Sequence, residues 1–226
     1  MNIEAIKTNC EVIKAEIPDN VKIVVAAKTR NVDELKAVIT SGMTIIGENY
    51  VQEASEIKES LGSKSNSLKW HMIGHLQTNK VKLAVGIFDM VETLDSLKLV
   101  AEIDKRAKEI NKIMPVLVEV NSGEEDQETG LRPEKVVEFI RDISLLQNIK
   151  VSGLMTMGPR FGDPENAREF FKKTKSLFDE IVALKIINVQ MKYLSMGMSN
   201  TYKIAIEEGS NMIRPGSIIF GQREQS

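Results

Sequence analysis

The chain has 226 residues, 42% of them apolar, enough for a sizeable core in one large domain or two small ones. Its 30 Lys and Arg residues against 32 Asp and Glu leave a net charge of −2, so there is no basic footprint for nucleic acid. Cys10 is the only cysteine, which excludes an intrachain disulfide and fits a reducing compartment. The first residues, Met1 to Glu4, lack the charged and apolar regions of a signal peptide, and no apolar run approaches membrane-spanning length. The expectation is a soluble, cytoplasmic protein with no membrane partner.

Residues 2–17 place Ile3, Ile6, Cys10, Ile13 and Ile17 at alternating spacings of three and four, one apolar helix face that Pro18 ends. Ile23 to Ala27 is a continuous apolar run of strand length, as in a parallel strand buried on both faces. It stops at Lys28. Asn31, with Glu34 three residues later, reads as a capped helix start, and that helix carries Leu35, Val38 and Ile39. Thr44 to Gly47 is a short second strand, followed by Glu48, Asn49, Tyr50 and a helix through Leu61. After a small polar loop at 62–67, Leu68 to Gly74 is a third strand running into His75. Ile87 to Leu94 is a fourth, interrupted by Asp89 and Glu92, and its helix carries Leu97, Val100, Ile103, Ala107 and Ile110.

Met114 to Val120 is a fifth strand, ending at Asn121. The acidic loop from Ser122 to Gly130 precedes Pro133, which suits the first turn of a helix. Ile149 to Met157 holds the sixth strand. Asp163 and Pro164 open a long helix with Phe171, Leu177 and Ile181 near one face. Met191 to Met196 is the seventh strand, and Asn211 to Arg214 begins an eighth. Ser217 to Gly221 reads equally as more strand or as a helical turn. Eight strands with helices between them imply a parallel sheet closed as a single (β/α)8 barrel over residues 1–226. The extra N-terminal helix fills the outer-ring gap left by the missing eighth helix. An open doubly wound sheet is the alternative, but no G-x-G-x-x-G follows the first strand.

The strand ends deliver polar residues to one rim: Lys28, Asn49, His75, Asn121, Thr156, Ser195 to Ser199, and Arg214. Strand ends adjoin loops, and loops are polar anyway, which suffices for Asn121 and Thr156. Lys28 reads either as a solvated lysine or as an amine desolvated enough to form a Schiff base. The loops at Gly197 to Asn200 and at Gly216 and Ser217 read either as plain turns or as the phosphate site this fold builds after strands 7 and 8. His71 and His75 lack partners for a metal site, and His71 reads as a structural, hydrogen-bonded group. Glu124, Glu125, Asp126 and Glu128 lack the alternating oxygen ligands of a calcium loop. No metal is expected. Met155, Met157, Met196 and Met198 read as barrel filling. A lysine on strand 1 and a phosphate pocket at strands 7 and 8 together describe a phosphorylated carbonyl compound held as an imine. Pyridoxal phosphate (PLP) and a sugar phosphate both meet that description.

Six ordered segments carry a resemblance: Val25 to Thr29, Gly47 to Glu53, Trp70 to Lys80, Gly153 to Met157, Leu194 to Ser199, and Ile213 to Gly216 with Ile219 to Gly221. The chain resembles the pyridoxal phosphate homeostasis protein family from residue 3 to residue 221. The resemblance implies the alanine-racemase-type barrel of fold type III, without a C-terminal β domain. It implies that Lys28 carries PLP as a covalent aldimine, that Ser199, Gly216 and Ser217 hold the phosphate, and that Arg214 faces the pyridine nitrogen. Asn49, His75 and Met155 match positions near the cofactor. Two positions depart from the family pattern: Thr201 replaces an aspartate, and Glu128 a lysine.

The resemblance implies a carrier that holds PLP without a committed substrate reaction, and so has no catalytic residue; PLP-requiring apo-enzymes are its expected partners, and a monomer its expected state. A PLP-dependent amino-acid racemase is the first alternative. Two-base racemisation needs a second proton donor, which alanine racemases take from a tyrosine in the partner subunit's β domain. Tyr50, Tyr193 and Tyr202 are the only tyrosines here, and none is an evident substitute. A Schiff-base aldolase acting on a sugar phosphate is the second alternative, but no carboxylate-and-lysine relay near Lys28 supports it.

Overall fold

A computed structural model describes residues 2–123, 129–158 and 162–222. Nine strand segments form one sheet: β1 (Lys22–Ile23), β2 (Val25–Ala26), β3 (Ile45–Glu48), β4 (Lys69–Met72), β5 (Met90–Leu94), β6 (Met114–Glu119), β7 (Ile149–Met155), β8 (Val189–Ser195) and β9 (Met212–Ile213). All pair in parallel, in the order β1-β9-β8-β7-β6-β5-β4-β3-β2. The two ends of that order are consecutive in the chain. The expected first strand is therefore one strand that changes partner at Val24, bonding β9 on one side and β3 on the other, and it closes the barrel. The Val24 N–H donates to the Ile213 carbonyl at 2.9 Å, and the Ala27 N–H to the Gly47 carbonyl at 2.8 Å.

The helices are α1 (Ile3–Glu16), α2 (Val32–Thr40), α3 (Val51–Leu61), α4 (Val81–Ile87), α5 (Leu97–Glu109), α6 (Pro133–Ile143), α7 (Ala167–Leu184), α8 (Tyr202–Glu207) and α9 (Ser217–Phe220). Helix α1 packs against α2 and α9, and Asn9 ties it to the Ile219 carbonyl at 3.0 Å. It fills the outer ring where α9 is only one turn long. The undecided stretch at Ser217 is thus helical. The fourth strand starts at Met90 rather than Ile87, because Ile87 closes α4. That helix is seven residues long and too short to show a period. The polar loop at 62–67 is a 3-10 turn, and Asp163 caps a 3-10 turn (Pro164–Asn166) that leads into α7.

Strand alternation sorts the apolar residues into two cores. Val24, Ile73, Met90, Leu117, Met155 and Met212 fill the barrel interior. A larger layer, with Trp70, Phe88 and Phe171 fully buried, lies between barrel and helices. Gly153 marks the closest backbone approach: at φ +150 an added Cβ would lie 1.8 Å from the Tyr193 carbonyl oxygen, where the β7–β8 register shifts. Gly153→Ala is expected to cost more than ~3 kcal/mol, read as a fall in Tm of roughly 10 °C or more. The expected N-terminal cap of α2 is formed in full: Asn31 Oδ1 accepts the N–H groups of Asp33 and Glu34, both at 3.0 Å, and Glu34 accepts the Asn31 N–H at 2.9 Å. Asn31→Ala is expected to cost about 1 kcal/mol in denaturant unfolding.

Candidate functional site

Val24 and Ala26 face the interior and Val25 and Ala27 the outer layer, so the alternation carries Lys28 to the mouth of the barrel. The turn that holds it is pinned on both sides. Thr29 has φ 62, a left-handed conformation that a β-branched residue adopts only under strain. Its N–H is held by the Glu53 carboxylate of α3 at 3.0 Å. The Arg30 N–H donates to the Ala27 carbonyl at 3.0 Å, and the α2 cap follows at once.

Lys28 lines a cavity of about 400 Å³ together with Ser199, Arg214, Gly216 and Ser217. Five of the eight expected site residues are thus brought together from the ends of β2, β8 and β9. Arg30, Met198 and Asn200 also line it. The Arg30 guanidinium lies 4.8 Å from the Phe220 ring centroid and pairs with Glu34 at 3.2 Å, which fixes this wall. The Ser199 hydroxyl oxygen accepts the N–H groups of Gly216 at 3.0 Å and Ile218 at 3.2 Å. Gly197 turns the chain out of β8 at φ +90, and an added Cβ there would lie 2.6 Å from Ala205. Thr201 is buried, and its hydroxyl accepts the Met198 N–H at 3.1 Å, so it supplies the acceptor that an aspartate at this position would offer. Glu128 lies outside the described residues, as do Glu124, Glu125 and Asp126.

Arg214 is 3% exposed, yet it reaches this cavity. One guanidinium nitrogen donates to the Ser195 hydroxyl at 2.7 Å and the other to the Thr156 carbonyl at 2.8 Å. Ser195 in turn donates to Glu92 at 2.7 Å, and the other oxygen of Glu92 meets His71 Nδ1 at 2.6 Å. Burial pushes the Glu92 carboxyl up, but His71, Arg214 and Ser195 outweigh it and hold the group below the usual carboxylate range. His71 is buried and hydrogen-bonded, as its sequence position suggested.

Asn49 and His75 are not in the Lys28 cavity. With Tyr50, Gln52, Gln77 and Lys80 they line a second one of about 350 Å³ on the same rim. Their sequence positions put them at strand ends but could not say on which side of the mouth they fall. Met155 lies below the rim in the interior core. Met157 packs beside it, whereas Met196 joins the outer layer and Met198 lines the Lys28 cavity, so only two of the four methionines fill the barrel. Beside Asn49, Glu48 is fully buried, and neither carboxyl oxygen has a hydrogen-bond partner. Burial, with Glu53 nearby, pushes its pKa to about 8.

The chain matches the family of alanine racemase N-terminal domains over residues 1–224. It is 40% identical over 223 residues to a protein of Aquifex aeolicus (strain VF5) named pyridoxal phosphate homeostasis protein, covering 98% of this chain and 95% of that one. The chain belongs to the pyridoxal phosphate homeostasis protein family. PipY of Synechococcus elongatus PCC7942, solved with PLP bound, superposes with a TM-score of 0.88 at 26% identity, over 96% of this chain and all of PipY. An alanine racemase of Clostridium difficile 630 shares the fold, with a TM-score of 0.81 at 18% identity, and this chain spans 58% of its length.

Sequence reasoning about this homeostasis-protein chain did not single out Glu92, whose carboxylate is linked through Ser195 to Arg214. A charged residue inside an otherwise apolar strand was the available indication. It also missed Arg30, whose place follows from the Lys28 turn. Among the described residues no helix is long and apolar enough to cross a membrane, and no group of three or more His, Cys, Asp or Glu could hold a metal ion.

Proposed function

We propose that this chain is a PLP carrier: a barrel domain spanning residues 1–226 that holds the cofactor on Lys28 as a Schiff base, takes part in cytoplasmic PLP homeostasis as a monomer, and delivers PLP to enzymes that require it. The observation that carries this reading is the shared cavity of Lys28, Arg214, Ser199, Gly216 and Ser217. The donor set suits a phosphorylated aromatic aldehyde. A primary amine is there for the carbonyl, and the Ser199 and Ser217 hydroxyls are there for the phosphate. Arg214 would orient the ring, and although burial lowers its pKa, a guanidinium does not readily give up a proton to the ring nitrogen. The names of the relatives and the PLP bound to PipY support the same cofactor. Bound PLP supplies an electrophilic carbonyl and an electron sink. Lys28 would anchor it, Ser199 and the Gly216 turn would position it, and Arg214 would weaken that sink. Asn49 and His75 are neighbours of this site, lining the second cavity rather than the Lys28 wall, and Met155 packs beneath it in the interior core.

No committed substrate reaction belongs to this reading. None of the three tyrosines lines the Lys28 cavity: Tyr50 is on the second one, Tyr193 packs against the interior core, and Tyr202 donates to Glu16 at 2.7 Å. The test is a titration of purified protein with PLP, followed by incubation with L-alanine. A saturable Schiff-base absorbance band with no D-alanine formed is the expected result. Turnover to D-alanine at enzymatic rates would contradict it. Ser199→Ala is expected to weaken PLP binding roughly tenfold, since it removes one positioned donor-acceptor, with the absorbance band retained at saturation.

A further inference from the structure

The polar chain beneath Arg214 is more than core filling. His71 on β4, Glu92 on β5 and Ser195 on β8 are all buried, and none of them lines the Lys28 cavity. Arg214 does. The hydrogen-bonded route from these three residues to the site runs through Arg214.

The hydrogen-bond directions are determined. A guanidinium only donates, so the Ser195 oxygen must accept from Arg214. The single Ser195 proton is then left for Glu92. The other Glu92 oxygen is held by His71, so the carboxylate cannot rotate away. Among the described residues Arg214 has no direct carboxylate partner, and its other nitrogen is taken by the Thr156 carbonyl. A fully buried cation needs a compensating charge. Glu92 supplies it from one hydroxyl away, and Glu119 of β6 adds a weaker attraction.

We propose that Glu92 is a positioning residue for the cofactor site: acting through the Ser195 hydroxyl, with His71 as its brace, it fixes the direction and charge of Arg214, and through Arg214 the protonation state of the cofactor's ring nitrogen. The inference rests on the PLP reading of the Lys28 cavity. With Glu92 charged and Ser195 in place, the guanidinium is locked against the ring. Without either, Arg214 loses its compensating charge or its fixed acceptor, water can reach the ring nitrogen, and that nitrogen can take up a proton.

The test compares wild type with Glu92→Gln, Ser195→Ala and Ser195→Thr, each loaded with PLP. Borohydride reduction and peptide mass spectrometry first establish whether Lys28 carries the adduct. Absorbance is then followed against pH, and cofactor release against time. The expected result is an adduct in every protein, but with the absorbance midpoint of Glu92→Gln and Ser195→Ala moved by roughly one pH unit and release accelerated severalfold. Ser195→Thr, which keeps the hydroxyl, is expected to follow the wild type. A merely structural role would lower Tm without moving the midpoint. Superimposable pH profiles for wild type and Ser195→Ala, with adduct present in both, would overturn the inference and leave the PLP reading standing. Absence of the adduct in the wild type would overturn the reading and the inference together. Ser195→Ala keeps the Glu92–His71 contact, so it decides the matter where Glu92→Gln fails to fold.

Discussion

Lys28→Ala is expected to abolish covalent attachment of PLP and to weaken its retention by on the order of 100-fold, about 2.7 kcal/mol. The covalent link depends on one amine, and no second lysine lines the cavity. Weaker binding should persist, because Ser199, Arg214 and the Gly216 turn are untouched. Lys28→Arg is the informative companion. It keeps the positive charge at the mouth but has no amine that forms a stable imine, so it should lose the Schiff-base absorbance as completely as alanine does. Neither variant should unfold the protein. Lys28 is only half-buried at the barrel mouth, and substitutions of this kind usually stay within about 0.5 kcal/mol. Absorbance titration and equilibrium dialysis measure both quantities. A Lys28→Ala protein that retains the Schiff-base band would remove Lys28 from the account.

The second large effect concerns stability. Glu48 has an ordinary carboxyl pKa of 4.5 when unfolded and one of about 8 in the folded barrel. Between those values the folded state keeps a proton that the unfolded state has lost. Stability therefore falls as pH rises through this window, by about 1.4 kcal/mol per pH unit from this group alone, and the loss levels off above pH 8. Glu48→Gln removes the titration while keeping the shape. At pH 9 the variant is expected to be more stable than wild type by roughly 2–4 kcal/mol. At pH 5 the two should lie within about 1 kcal/mol, since both then bury a neutral polar group. Urea unfolding at pH 5, 7 and 9 gives the difference curve directly. Parallel stability curves would show that Glu48 does not carry a buried proton.

The fold was largely legible because its strongest features are local. The apolar run from Ile23 to Ala27, its stop at Lys28, and the Asn31–Glu34 cap each follow from short-range chemistry, and together they fix one strand, one turn and one helix start. Repeating that rhythm gave the barrel. The part that was not legible depends on distance across the barrel. Glu92 and Ser195 are 103 positions apart in the chain and meet only because the sheet closes. Asn49 follows β3, which pairs directly with β2, yet it lines a different cavity from Lys28, as does His75 after β4; a strand-end position alone does not say which cavity a side chain lines. The split of the first strand at Val24 is likewise a product of closure, since one run must serve two neighbours. The helix expected between the third and fourth strands had no bounds assigned, because the seven residues of α4 carry too little period to register. Met198 was misjudged because an apolar residue near glycine fits a packed interior and a cavity wall equally well.

The most direct test of the central claim is borohydride reduction of the purified protein after incubation with PLP, followed by peptide mass spectrometry. A pyridoxyl group on the peptide containing Lys28, and on no other lysine at stoichiometric yield, is the predicted result. An unmodified Lys28 in the presence of excess PLP would contradict the account and leave the cavity to a different phosphorylated carbonyl ligand.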